Sequence, residues 1–131
     1  MKNRLTKREQ ARYDRIVRET VQLLKLGEWD INIIFVDESE IHADGKGGES
    51  AKDADSITFG FSWWDPDVTK AILWILWPSI HRREGEMWED TLIHELVHVR
   101  LGGHEAPKGW DLATERNVNI VTSLIRKILG V

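Results

Sequence analysis

An α+β domain is the fold this sequence predicts, and three observations predict it. A long amphipathic helical repeat opens the chain, short stretches with strand patterning follow, and two further helical stretches close it. With 131 residues, 41% hydrophobic and 31% charged, the chain reads as one domain spanning residues 1–131, large enough for a real core. The expected order is an N-terminal helix, a small mixed sheet of about three strands, and two C-terminal helices.

From Thr6 to Leu26 the positions Ala11, Tyr13, Ile16, Val17, Thr20, Val21 and Leu24 recur at three- and four-residue spacing. That spacing predicts an amphipathic helix, stopped by Gly27. Trp29, Ile31, Ile33 and Phe35 then alternate with Asp30 and Asn32 as in a half-buried strand. Residues 37–55 read as a long loop; its Asp44-Gly45-Lys46-Gly47-Gly48 lacks both the calcium-loop spacing and the Lys-Ser/Thr ending of a phosphate loop. His42 in the same loop reads as exposed. Ile57, Phe59, Phe61 and Trp63 alternate again and are expected to face the core, with Thr58, Gly60, Ser62 and Trp64 opposite. Asp65-Pro66-Asp67 supplies a turn. The apolar run from Ala71 to Trp77 predicts a strand covered on both faces and ended by Pro78. Residues 79–86, with His81, Arg82 and Arg83, read as a polar loop. A helix is expected from Met87 to Leu101, with Glu89 and Asp90 at its positive end, Arg100 at its negative end, and Gly102-Gly103 as its stop. The last helix, Trp110 to Leu129, places Val118, Val121, Leu124, Ile125 and Ile128 on its apolar side.

Composition narrows the chemistry. The absence of cysteine excludes disulfides, cysteine nucleophiles and zinc ribbons, so any metal must be held by His, Asp or Glu. No apolar run approaches a membrane span, and the charged N-terminus is unlike a signal peptide, so a cytoplasmic protein without a membrane partner is expected. The net charge of −4 argues against general nucleic-acid binding. Yet residues 1–18 hold seven basic side chains against Glu9 and Asp14, a local +5 that leaves −9 elsewhere. A solvated helix face is the simpler account of these cations and a nucleic-acid contact the sharper one.

His94-Glu95-Leu96-Val97-His98 carries the most chemical information. Residues i and i+4 share a helix face, so the two imidazoles can hold one ion. Zinc takes three protein ligands at hydrolytic sites and lowers the pKa of water toward about 7, and Glu95 is placed to serve as general base. A third ligand must come from downstream, and the candidates are His104 and Glu115. His104 has the third-histidine offset of the metzincins, His-Glu-x-x-His-x-x-Gly-x-x-His. Leu101 stands where that pattern has glycine, however, and Met1 and Met87 both precede the second histidine, leaving no methionine turn. His104 is also a candidate oxyanion stabiliser, as are His81, Tyr13 and Arg116. Asn119 and Asp111 are candidate orienters of the imidazoles.

Through His94, Glu95, His98 and Glu115, the last at the start of a second helix, the chain resembles the gluzincins. The similarity is greatest to minimal single-domain metallopeptidases of prokaryotes and their phages. The resemblance implies a zincin-like fold, Zn²⁺ held by His94, His98 and Glu115, and hydrolysis of peptide bonds in a peptide or protein substrate. Rival readings are a non-catalytic zincin-fold binding module, a DNA-associated protease resembling the SprT-like family, and a regulator-cleaving peptidase of the ImmA/IrrE-like kind. The seven tryptophans suit core packing, with Trp64 the one expected to be exposed for recognition. Residues 56–64 would suit an edge strand that adds a substrate strand.

Overall fold

The computed structural model describes residues 4–40, 52–53, 56–101 and 112–131. Over these residues the fold is α+β, with four helices and a three-stranded mixed sheet. Helix α1 spans Lys7–Leu23, and strand β1 spans Asp30–Val36. Next come the two-residue strands β2 (Lys52–Asp53) and β3 (Ser56–Ile57), then β4 (Gly60–Asp65) and β5 (Lys70–Leu76). Helices α2 (Pro78–Arg83), α3 (Trp88–Leu101) and α4 (Leu112–Leu129) complete the chain.

A capping box starts α1. The Glu9 amide donates to the Thr6 hydroxyl at 3.0 Å, and the Thr6 amide donates back to Glu9 at 2.9 Å. The helix ends earlier than Gly27 would have it. Lys25 takes a left-handed φ of 58°, and the Leu26 and Lys25 amides reach back to the carbonyls of Val21 and Gln22. This is a Schellman ending, and it drives Leu26 into the core.

The sheet order is β1-β5-β4, with β5 parallel to β1 and antiparallel to β4. The apolar run therefore forms the central strand. Ala71, Leu73 and Ile75 are fully buried on the helix side, whereas Ile72 and Trp74 on the other face are only half-buried, so coverage of β5 is unequal. Pro78 both ends β5 and occupies the first turn of α2, where its missing N–H costs nothing. The polar loop expected at 79–86 is thus mostly helical, and it carries the buried Ile80 and His81.

Helix α3 is the centre of the molecule: it packs against β4, β5, α1, α2 and α4. Its Leu92, Ile93, Leu96 and Val97 are fully buried with Ile16 of α1, Leu73 and Ile75 of β5, and Val118 of α4. Arg12 of α1 ties down Glu89 of α3 at 2.6 Å, and Arg15 donates to the Leu129 carbonyl of α4. These basic side chains of the N-terminal helix are therefore engaged within the fold. On α4, Val118, Thr122, Ile125 and Leu129 are buried, but Leu124 and Ile128, expected on the apolar side, are 53% and 67% exposed. No helix among the described residues is long and apolar enough to cross a membrane.

Candidate metal centre

The helical repeat of α3 brings the His94 and His98 rings to 4.9 Å, edge to face. Helix α4 packs beside α3 and presents Glu115 to both. One carboxylate oxygen lies 2.9 Å from His94 Nε2 and the other 3.1 Å from His98 Nε2. The three side chains offer ligand atoms that all lie within 4.8 Å of one another, a grouping among the described residues that could hold a metal ion. A tetrahedral ion with ligands at about 2.0–2.2 Å spaces their atoms about 3.3–3.6 Å apart. The observed separations, from 2.9 and 3.1 Å for the two His–Glu pairs up to a limit of 4.8 Å for the group, bracket that spacing. Two imidazoles and a carboxylate are also the donor types of a hydrolytic zinc site. The His94 and His98 side chains are 19% and 20% exposed, so the cluster opens to solvent on one side.

Glu95, one residue on from His94, lies in the seam between α3 and β4 and remains close enough to His94, His98 and Glu115 to feel their charges. It is 7% exposed. Burial pushes its carboxyl above the usual carboxylate range, and proximity to Glu115 adds to this. The imidazoles of His98 and His94 and a hydrogen bond from Ser62 pull it back down. The seam is narrow because Gly60 has no side chain. A Cβ there would stand 2.7 Å from Thr91 Cγ2, 3.0 Å from Glu95 Cγ and 3.2 Å from a Glu95 carboxylate oxygen.

The face of β4 that meets the site is therefore Gly60, Ser62 and Trp64, opposite to the expected one. Phe59 and Phe61 instead pack with Val36, Leu76 and Ile80 on the far side of the sheet. Trp64, expected to be exposed, is half-buried against the core. Its ring lies nearly parallel to His98, at 18° and 6.5 Å between centroids. The pattern of small residues at alternate positions of β4 was visible in the sequence, and its meaning as a close approach to Glu95 was not.

His81 lies on α2 and is fully buried. Its Nδ1 donates to the Trp77 carbonyl at 3.2 Å, which leaves Nε2 to accept the Thr91 hydroxyl at 2.9 Å. Burial lowers its pKa. Tyr13 packs against Phe35, and burial raises its pKa. None of these contacts is with His94, His98 or Glu115, whereas Arg116 is exposed and follows Glu115 on α4. Asn119 is exposed on α4. His104, Asp111, Trp110, His42 and the 44–48 stretch lie outside the described residues. Comparisons with protein-family models, curated proteins and solved structures found no match.

Proposed function

We propose that this chain is a zinc-dependent peptidase with a zincin-like fold, in which His94, His98 and Glu115 hold the ion and Glu95 is the general base. The observation that carries this reading is the convergence of those three donors from two helices, with a second, buried carboxylate one residue from the first histidine. When bound, zinc supplies Lewis acidity that polarises a substrate carbonyl and acidifies a water.

The remaining steps belong to the chain's own residues. Glu95 takes the proton of the attacking water and returns it to the departing amine, so atoms and charge balance over the cycle. Its burial favours that role, because a carboxylate whose pKa is raised holds a proton more tightly than a solvated one. Ser62 and the absent side chain of Gly60 fix where the carboxylate sits. The substrate backbone has a place to lie as well. Strand β4 is an edge of the three-stranded sheet, and the Leu76 amide donates to the Phe59 carbonyl. By the alternation of antiparallel pairs, Gly60 and Ser62 then turn their N–H and C=O groups away from β5. A peptide added along that edge would run beside Glu95 and His98.

Glu95→Gln tests the mechanism. It should lower peptide hydrolysis by about 10²-fold or more while the protein still binds one zinc per chain. Hydrolysis at the wild-type rate by that variant would rule Glu95 out as the base.

A further inference from the structure

Ile120, Leu124 and Ile128 recur at four-residue spacing and so form one stripe along α4. They are 52%, 53% and 67% exposed, on the side away from the buried Val118, Ile125 and Leu129. Aliphatic side chains aligned in this way are not the scattered apolar residues of an ordinary surface. Ile120 and Leu124 also line an open hollow along α4, together with Arg116, Lys127 and, at one end, Glu115. The hollow thus begins at the residue proposed as the third metal ligand. Its charge is one-sided: Glu115 is turned to His94 and His98, and no other acid among the described residues lines it. Arg116 and Lys127 have no ion-pair partner among the described residues.

We infer that this face of α4 docks the substrate polypeptide through an apolar segment flanked by acidic residues, an inference that rests on the peptidase reading. The length suits such a segment. Glu115 to Ile128 spans about 20 Å at 1.5 Å per residue, which matches about six residues of extended chain. Aliphatic side chains of the segment cover Ile120, Leu124 and Ile128, and its acids face Arg116 and Lys127. A second copy of this chain is a poorer occupant. It would bring Arg116 and Lys127 of both copies to one interface without a described acid between them. The stripe is also far smaller than the roughly 800 Å² per partner of a stable dimer.

The test uses the 131-residue chain carrying Glu95→Gln with zinc added, and two fluorescein-labelled dodecapeptides that share their leucines but carry either glutamates or lysines beside them. Fluorescence anisotropy should show the glutamate peptide binding about tenfold or more tightly than the lysine peptide. Adding Leu124→Asp should weaken it by about tenfold or more, and adding Lys127→Glu should shift the preference toward the lysine peptide. Equal binding of the two peptides, or unchanged binding after Leu124→Asp, overturns the proposal. So does a dimer in sedimentation that Leu124→Asp dissolves, which would make a second copy the occupant. The two readings fail separately. Absent zinc with the charge preference intact removes the peptidase and keeps the docking face; Glu95-dependent hydrolysis with no effect of Leu124→Asp does the reverse.

Discussion

Gly60 determines how near β4 comes to Glu95, and a single methyl group is enough to disturb it. The contact of 2.7 Å to Thr91 Cγ2 is closer than packed carbons tolerate. Gly60→Ala therefore has to move the strand or the helix, at a cost of about 1–3 kcal/mol. Because the Glu95 carboxylate lies in the same gap, kcat should fall about tenfold or more, a fraction of what a general base contributes, with zinc content unchanged. A Gly60→Ala enzyme with wild-type kcat would show that the seam does not position the base. Ser62 belongs to the same arrangement, since its hydroxyl donates to the carboxylate. These two residues were not legible as site residues in the sequence, because nothing local ties residue 60 or 62 to residue 95. His94, Glu95 and His98 were legible because one helix turn brings them together. The need for a third donor leaves His104 and Glu115 both open, and it is the gluzincin resemblance that favours Glu115.

At the scale of elements, periodicity reveals where faces lie but not what covers them. The alternation in β4 correctly separated Phe59 and Phe61 from Gly60 and Ser62, yet the aromatic face turned out to be the one away from α3. Close helix–strand approach selected the small residues instead. Helix α2 was missed because six residues hold too little of a 3.6-residue repeat, and its opening proline also reads as a strand stop. The end of α1 was misplaced because buried Leu26 continues the apolar spacing after the backbone has already turned at Lys25. On α4, Leu124 fits the apolar side by sequence but lies outside the packed arc. Substitution distinguishes the two kinds of leucine. Leu96→Ala on α3 removes a fully buried side chain and should cost about 2–5 kcal/mol, whereas Leu124→Ala should stay within about 0.5 kcal/mol. Urea denaturation of both variants checks this, and a large loss for Leu124→Ala would mean that its surface is covered.

For the whole molecule, the buried His81 couples folding to pH through its link from α2 to Thr91 on α3. Its folded pKa is lowered from the ordinary 6.5, chiefly by burial, with Glu89 and Asp90 and its backbone bonds opposing. Between the folded value and 6.5 the unfolded chain binds more protons than the folded one, so stability rises with pH there. The contribution is complete above pH 6.5 and is lost as the pH falls below it. Glu9, whose pKa is lowered from 4.5 by its bonds with Thr6 and Arg82 against the opposing effect of burial, adds a second loss at more acid pH. Thermal denaturation of wild type and His81→Gln between pH 7.5 and 5, a range set by the ordinary imidazole pKa of about 6.5, should give a shallower pH slope for the variant. Equal slopes would remove His81 from the account.

The same packing of α3 against α4 that stabilises the molecule sets Glu115 against His94 and His98, so the proposed metal centre depends on the whole fold. The most direct measurement is anomalous diffraction from crystals grown with zinc. The predicted result is one ion with His94, His98 and Glu115 each about 2.0–2.2 Å away. An ion bound through His104 in place of Glu115, or no ion at these residues, would contradict it.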